Sequence, residues 1–275
     1  MAASSSDERG RHVDAARSLF AQLFSGMAVA DAYRLSAAEA ERRGHTDKRT
    51  NDIDLTYGDV GFDAIAAAIN AVKPKPGGCF VDLGSGVGRG VLAAACLFPF
   101  SRCAGVELLQ DLHTAALEPT RRFMELRATI DVGPAKLGEA DLQHLDGKEM
   151  ASVVEVFNGD LYEQELEPLC SSSAGAGVLV FVCCVTWSSG LMQRLAEKVG
   201  QELHSIDGGA SVVTVGQRMP QMVDLAANKG AVLFEETARF DEPFEWGREA
   251  IIVHRVVKVG VLMARRYRKQ RGAAR

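Results

Sequence analysis

A glycine-rich loop between two apolar runs constrains the fold of this chain more than any other feature. The stretch spans residues 79–90 and reads Cys-Phe-Val-Asp-Leu-Gly-Ser-Gly-Val-Gly-Arg-Gly. Its start predicts a buried strand, Cys79–Leu83, and the alanine-rich run after it predicts a helix over Arg89–Leu97. Glycines let the backbone turn sharply and approach a ligand, because no Cβ is in the way. The stretch therefore predicts a strand–loop–helix unit with a ligand site at the start of the helix.

The spacing of the glycines indicates which ligand this loop suits. A dinucleotide-binding loop reads G-x-G-x-x-G and holds a pyrophosphate. Here the pattern is Gly84-x-Gly86-x-Gly88, with Arg89 at the position of the third dinucleotide glycine. The carboxylate of Asp82, just before the loop, favours a cationic ligand group. The loop thus resembles the first motif of class I S-adenosylmethionine (SAM) methyltransferases, whose ligand carries an α-ammonium. A glycine corner without a ligand is the alternative.

Length and composition set the outer limits of the interpretation. The chain has 275 residues, 47% of them hydrophobic and 24% charged, which is typical of one large globular domain or a domain with an extension. A net charge of −5 argues against a chain that binds nucleic acid over its whole surface. Six cysteines without a C-x-x-C pair favour a reduced intracellular protein without a zinc site. The sequence has neither a signal-peptide core nor a membrane-length apolar run.

Alternating strand and helix patterns after the loop predict a mostly parallel sheet with helices on both faces. The interpretation is an α/β, Rossmann-like class I methyltransferase fold with seven strands and an N-terminal helical extension. Further strands are predicted at Arg102–Leu108, Val153–Phe157, Val178–Cys184 and Ser211–Val215, with an antiparallel pair at Val232–Phe240 and Ala250–Val257. Helices are predicted at Ala64–Val72, Leu109–Arg127 and Ser189–Gly200.

The ends of the chain differ in composition from the middle. Residues 1–10 are small and polar and are predicted to be disordered. Residues 11–54 are predicted to form a helical extension, with its second helix at Val29–Arg43, followed by a polar loop at His45–Asp54. The methyltransferase domain is predicted to span residues 55–258, and residues 259–275 form a basic tail.

Polar and reactive residues stand where several predicted strands end, which is where sheets of this kind bind ligands. Glu107 ends the second strand, and its two carboxylate oxygens can accept both hydroxyls of a ribose; a surface glutamate is the alternative. Asp160 follows the next strand and can accept from an adenine amino group; the alternative is a turn aspartate. Cys183, Cys184 and Trp187 end the fourth strand, where the reacting methyl group is expected.

Two motifs at a fixed distance carry a resemblance to one family. Tyr57-Gly58-Asp59 precedes the glycine-rich loop, although alone it can be read as a capping turn. Residues 55–90, with Glu107, Asn158–Leu161, Val182–Trp187 and Trp246, resemble the disruptor-of-telomeric-silencing family. These are non-SET lysine methyltransferases that modify the histone H3 core. The resemblance covers roughly residues 50–258, and Asp59 replaces the family's usual glutamate.

The resemblance implies that SAM is the cofactor and S-adenosylhomocysteine (SAH) the product. It places the methionine end of SAM over Gly84–Gly88 and the ribose on Glu107. The implied cofactor-binding residues are Tyr57, Gly58, Asp59, Val60, Phe80, Asp82, Leu83, Gly84, Ser85, Gly86, Val87, Gly88, Arg89, Glu107, Asp160, Leu161 and Cys183. The residues expected around the reacting groups are Tyr57, Cys183, Trp187 and Trp246.

Three departures from the family pattern indicate a divergent member. The family's Asn-Asn-Phe-Ala-Phe is Cys183-Cys184-Val185-Thr186-Trp187 here, and a thiol is a weaker hydrogen-bond partner than an amide. The family's Tyr-Tyr-Leu-His is Ile251-Ile252-Val253-His254, so an aromatic of the lysine channel is lost. The Gly-Asp-aromatic turn becomes Gly159-Asp160-Leu161. Trp246, by contrast, matches the family's channel tryptophan.

The basic tail suggests a second function. Arg265, Arg266, Arg268, Lys269 and Arg271 lie close together, and such a run can contact nucleosomal DNA or act as a nuclear import signal. The alternative is a solvated helix end.

The first hypothesis from sequence is a SAM-dependent protein-lysine N-methyltransferase that acts on histone H3 in the nucleus. The second is a methyltransferase for another protein or a small molecule, with the cytoplasm as the alternative location. The third is a SAM-fold binding module that has lost catalysis, which Cys183 and Ile251 motivate.

Overall fold

The computed structural model describes residues 2–44, 55–131, 145, 147–170, 175–226 and 230–272. The loop predicted at His45–Asp54 lies outside them. The strands are β1 (Cys79–Leu83), β2 (Arg102–Glu107), β3 (Val154–Asn158), β4 (Val178–Cys183), β5 (Ala210–Val215), β6 (Met222–Asp224), β7 (Ala231–Phe244) and β8 (Gly247–Val259). The helices are α1 (Ala2–Leu23), α2 (Val29–Arg42), α3 (Phe62–Val72), α4 (Arg89–Leu97), α5 (Gln110–Asp131), α6 (Ser189–Leu203) and α7 (Val261–Gly272), and Gly147–Glu149 form a 3-10 turn.

The sheet has the strand order β3-β2-β1-β4-β5-β8-β7-β6. The first five strands in this order run parallel, and β8, β7 and β6 then alternate in direction. The predicted class I methyltransferase fold is confirmed, with eight strands in the described part of the chain rather than seven. The additional strand is β6, whose three residues are too short to produce a recognisable alternation in the sequence.

Two apolar cores, one on each face of the sheet, fix the positions of the central strands. All five residues of β1 are buried, as expected for a strand covered on both faces. Phe80 and Phe181 point to the face covered by α1 to α5, whereas Leu83 and Val182 point to the face covered by α6. The chain order reverses between β1 and β4, and such a switch point leaves a crevice at the carboxyl ends of the two strands.

The N-terminal extension is helical from its first residues. Helix α1 begins at Ala2, so within the described residues the disorder predicted for residues 1–10 is replaced by a helix from Ala2 onward. No proline interrupts the sequence between Ala2 and Leu23, and the second half of the helix buries Leu19 and Phe20 in the core beside α4. Helix α2 packs against α5. The extension therefore covers the helices that follow β1 and β2.

The basic tail also forms a helix, α7, which is attached to the sheet at β6. The Tyr267 hydroxyl donates to the Gln221 side chain over 3.0 Å, and Arg268 forms an ion pair with Asp224. Its first turn leaves the apolar side chains of Leu262 and Met263 exposed. Within the described residues, no helix combines the length and the apolar character that a membrane span requires.

Candidate active site

A cleft opens at the carboxyl ends of β1, β2 and β4, and its empty space, including the part open to solvent, is about 780 Å³. The predicted site residues on its wall are Tyr57, Gly58, Gly84, Glu107, Asp160, Leu161, Cys183 and Trp187. The structure thus brings together residues from five separate segments of the sequence. Sequence reasoning missed much of the apolar wall, in particular Leu109, Leu112, Tyr162 and Leu191.

The glycine-rich loop is a main-chain cradle on which the Tyr57 ring lies. Gly84, Gly86 and Gly88 have φ angles of 86°, 55° and 82°, a region that side chains with a Cβ rarely adopt. A Cβ on Gly86 would collide with the ring of Tyr57, so the close approach of the two requires glycine there. The loop and Tyr57 therefore form one side of the cleft as a single packed unit.

Glu107 is held rigidly at the end of β2 by backbone hydrogen bonds. One carboxylate oxygen accepts from the N–H of Gly86 and the other from the N–H of Leu109, each over 2.7 Å. The side-chain amide of Asn158 donates to the Glu107 carbonyl over 2.9 Å. Burial raises the pKa of Glu107, although the main-chain donors of Leu109, Gly86 and Leu108 oppose the shift. A carboxylate can accept about four hydrogen bonds, so Glu107 can also receive a hydroxyl from a ligand in the cleft.

Asp82 lies buried at the end of β1, behind the glycine-rich loop. Burial, together with the nearby carboxylate of Glu107, raises its pKa to about 8. A Cβ on Gly90 would collide with its carboxylate, so the first turn of α4 packs directly against it. In the free protein this carboxyl is therefore protonated at neutral pH, and a nearby ligand cation would favour its ionisation.

This raised pKa leads to a prediction about stability. Folding favours the protonated form of Asp82. Its contribution to the free energy of unfolding is therefore complete below the pKa that Asp82 has in the unfolded chain, and is lost as the pH rises through about 8. Between pH 7 and pH 9 the free protein should lose about 1.4 kcal/mol through this group. Denaturant unfolding of the wild type and Asp82→Asn at both pH values measures the difference. Parallel losses in the two proteins would contradict the assignment.

Asp59 and Arg89 are not among the residues that line the cleft, and their role as cofactor contacts stays a prediction. The Tyr57 hydroxyl donates to Asp59 over 2.9 Å, and Arg89 lies 3.2 Å from the same oxygen. Arg89 also donates to the carbonyl of Met27 over 3.1 Å, and its guanidinium lies 4.5 Å from the Phe24 ring centre. The pair therefore ties the orientation of Tyr57 to the N-terminal helices.

Several other predicted cofactor contacts have side chains that point away from the cleft. The side chains of Val60, Phe80, Leu83 and Val87 are buried in the apolar cores, so a cofactor contact at these positions, which stays a prediction, would use the main chain. The Ser85 hydroxyl faces Gly105 on β2. The motif predicts the path of the main chain. The direction of each side chain depends in addition on the pleat of the strand and on the turn, which the motif does not specify.

The residues expected near the reacting methyl group meet at the end of β4. A Cβ on Gly58 would lie 3.5 Å from the Cys183 sulfur and 3.3 Å from the Trp246 ring. Trp246 occupies the tight turn between β7 and β8 and stacks on Phe244 at 4.9 Å. Burial is the main cause that raises the pKa of Cys183, so its thiol stays neutral and is a poor nucleophile.

Two positioning residues around the cleft were not found from the sequence. The Gln217 amide donates to the carbonyls of Cys184 over 2.9 Å and Trp187 over 2.5 Å, which fixes the turn after β4. Its place directly after β5 was the available signal. The Tyr162 hydroxyl donates to the Leu191 carbonyl over 2.9 Å. Tyr162 follows Leu161 directly, so the turn at Gly159-Asp160 has its aromatic residue one position later than the family pattern.

Ile251 is fully buried in the core and pairs with Val215 in the sheet. This position therefore contributes no aromatic side chain to the cleft.

Comparisons with known proteins agree with the resemblance seen in the sequence. Residues 45–155 match the family described as "Histone methylation protein DOT1", which confirms the resemblance to the disruptor-of-telomeric-silencing family. No curated protein matches the chain.

Solved structures similar to this chain include several methyltransferases. An RNA methyltransferase from Salinibacter ruber in complex with SAH is 17% identical, with a TM-score of 0.41 over 73% of this chain and 95% of the other. YcgJ from Bacillus subtilis is 9% identical, with a TM-score of 0.43 over 71% and 98%. TrmK from M. capricolum with SAH is 8% identical, with a TM-score of 0.41 over 72% and 69%.

Proposed function

We propose that this chain, a SAM-dependent methyltransferase whose residues 45–155 match the histone methylation protein DOT1 family, methylates lysine side chains of histone H3 in nucleosomes. One observation carries the proposal: a single cleft joins the glycine-rich loop and Glu107 to the Cys183–Trp187 turn. A cofactor on the first pair and an acceptor at the turn would then meet within one cavity. SAM supplies the activated methyl group when it is bound.

The cleft offers a suitable surface for each part of SAM. The methionine end would lie over Gly84–Gly88, with its α-ammonium near the buried carboxyl of Asp82. The ribose hydroxyls would donate to Glu107, and the adenine would lie near Asp160. Asp160 already accepts from the N–H of Tyr162 over 2.8 Å, so its carboxylate is oriented within the turn.

The acceptor side is suited to an uncharged amine on an alkyl chain. Methyl transfer from a sulfonium needs an in-line approach, so positioning supplies most of the rate. A lysine, with an ordinary pKa near ~10.4, must lose its proton first, and an apolar aromatic channel favours the neutral amine. Trp246, Trp187 and Tyr57 would form such a channel around Cys183, and their rings can stabilise the methylated cation.

Incubation with labelled SAM tests this function directly. Nucleosomes, free histones and a whole-cell extract are offered separately, and the proteins are resolved after reaction. The proposal expects label on histone H3 with nucleosomes, and no label when the wild type is omitted. Label only on other proteins would support the alternative substrate, and no label in any fraction would support a module without catalysis.

A non-histone protein substrate is the second candidate, and two residues on the acceptor side support it. Cys183 takes the place of the family's asparagine at the reacting centre, and Ile251 contributes to the core rather than to the channel. Both differences concern the acceptor side, whereas the cofactor side keeps its glycines and Glu107. A changed substrate is therefore a simpler explanation of these two residues than a lost cofactor.

We further propose that α7 contacts nucleosomal DNA, which would place the protein in the nucleus. Arg265, Arg266 and Lys269 are exposed on this helix. Arg268, through its ion pair with Asp224, holds the helix against β6 and so orients the exposed cations. A positively charged helix fixed to the domain gains affinity for phosphates without the full cost of ordering a free tail.

This contact predicts a change in the salt dependence of binding. Substitution of Arg265, Arg266 and Lys269 by alanine should lower the slope of log affinity against log salt by about 2.7, since each phosphate contact contributes about 0.9. Nucleosome binding measured at several salt concentrations gives the slope. Arg121→Ala/Arg122→Ala on α5 is the control, because these exposed arginines already pair with Glu118. Equal slopes in all three proteins would leave α7 as a solvated helix.

A further inference from the structure

The N-terminal helix α2 lies outside residues 45–155 but places an aromatic side chain, Tyr33, against Tyr57 of the cleft wall. The ring of Tyr33 contacts that of Tyr57 edge-on, with the ring centres 5.2 Å apart and the planes at 84°. Tyr57 itself lies on the cleft wall beside the glycine-rich loop. Tyr33 therefore packs directly against Tyr57, a residue expected at the reacting centre.

The groups around the Tyr33 hydroxyl indicate that it lies beside the cleft. The Asp59 main chain, Glu245 and Cys183 are all near enough to the Tyr33 hydroxyl to affect its pKa. Cys183 ends β4 and Glu245 directly precedes Trp246 in the β7–β8 turn. The Tyr57 loop, the end of β4 and the β7–β8 turn therefore all lie in the neighbourhood of this side chain. Burial is the main cause that raises the pKa of Tyr33, so its hydroxyl remains neutral and can both donate and accept.

Helix α2 is held firmly enough to position a side chain. The Ser36 hydroxyl donates to the Leu55 carbonyl over 3.0 Å, just before the Tyr57 loop. The buried carboxylate of Glu39 accepts from the N–H groups of Gln110 and Asp111 over 3.0 and 2.8 Å, at the start of α5. Tyr33 therefore stands on an element that is fixed both to the Tyr57 loop and to the segment after Glu107.

We propose that Tyr33 forms part of the wall of the acceptor channel, beside Tyr57 and Trp246, and that α2 thereby helps to select the acceptor. Its ring would pack against the alkyl part of an amine side chain, and its hydroxyl oxygen would accept from the amine. It would supply an aromatic surface that Ile251, buried in the core, does not. This inference rests on the proposed function in one respect, namely that the acceptor is an amine.

Binding of three cofactor analogues tests the inference without a protein substrate. The probes are SAH and two SAH analogues in which nitrogen replaces the sulfur and carries a butyl or an aminobutyl arm. Calorimetry gives the affinity that each arm adds to that of SAH. In Tyr33→Ala this added affinity should fall about three- to tenfold for both arms, the range expected for one aromatic contact, while SAH affinity stays within about twofold.

Two further variants separate the ring from the hydroxyl and from the helix. Tyr33→Phe should keep the gain from the butyl arm and lose part of the gain from the aminobutyl arm. Arg34→Ala changes the exposed neighbour on the same helix and should behave as the wild type with all three probes.

Three results would overturn the inference. One is an equal arm contribution in the wild type and Tyr33→Ala. Another is a loss of SAH affinity in Tyr33→Ala as large as the loss for the arm analogues, which would mean that Tyr33 acts on the cofactor side through Tyr57. The third is a wild type to which neither arm adds affinity. If only the butyl arm adds affinity in the wild type, the result would contradict an amine acceptor. The affinity that the butyl arm adds in the wild type and in Tyr33→Ala would still test the role of Tyr33.

Discussion

Replacement of Glu107 by alanine is expected to lower the affinity for SAM by about 10²- to 10⁴-fold. In the proposed placement of SAM, the change would remove two charge-assisted hydrogen bonds to the ribose, at roughly 1.5–3 kcal/mol each. Calorimetric titration with SAM and SAH measures the loss. A folded Glu107→Ala protein with unchanged SAM affinity would rule out the ribose placement.

The structure also shows why this variant needs a matched control. The Glu107 carboxylate accepts two backbone N–H groups, so its removal leaves both without a partner and disturbs the glycine-rich loop. Glu39 is a second buried carboxylate that accepts two backbone N–H groups but does not line the cleft. Glu39→Ala should therefore lower the melting temperature and leave SAM affinity close to that of the wild type. Equal losses of SAM affinity in both variants would assign Glu107 a structural role.

Replacement of Trp246 by alanine is expected to reduce turnover about tenfold or more, which corresponds to ~1.4 kcal/mol of transition-state stabilisation. Trp246 lies close to Gly58, as does Cys183, so removal of the indole would open the acceptor side to water and favour the charged amine. SAM affinity should change little, because the cofactor pocket lies on the other side of the methyl group. Turnover on nucleosomes, thermal melting and SAM titration on the same variant give the three quantities.

A core role for Trp246 predicts a different pattern. Truncation of a buried tryptophan costs roughly 3–5 kcal/mol of stability, and SAM binding would then fall together with melting. Trp246 is only half-buried and stands in a tight turn, which favours the channel role. Trp246→Phe keeps an aromatic wall and should retain most of the turnover. A large melting loss with proportionate loss of SAM binding in Trp246→Ala would reject the channel assignment.

The fold was largely predictable because its signals are local. Strand β1 and helix α4 have the bounds expected from the sequence, since an apolar run, a glycine-rich turn and an alanine-rich run follow one another. Strand β6 was missed because three residues show no alternation. The start of α1 was missed because small polar residues are read as disordered, whereas here they continue a helix whose other end is buried.

The cleft was predictable to the extent that strand ends gather at one edge of the sheet. Glu107, Asp160 and Cys183 were found by this rule, and all three line the cleft. The motif gives the position of Arg89 but not the direction of its side chain, which contacts Asp59 and Met27 in the structure. Tyr33 carries no motif at all. Its place follows from contacts between helices and loops distant in sequence, which periodicity does not encode.

The proposed function requires the cleft to transfer a methyl group from SAM to a lysine amine of histone H3. Mass spectrometry of nucleosomal H3 after incubation with the wild type and SAM detects this product. We expect a mass increase of one methylene unit or a multiple of it, located by peptide fragmentation on a lysine, and strongly reduced with Trp246→Ala. Consumption of SAM with every H3 lysine unmodified would contradict it.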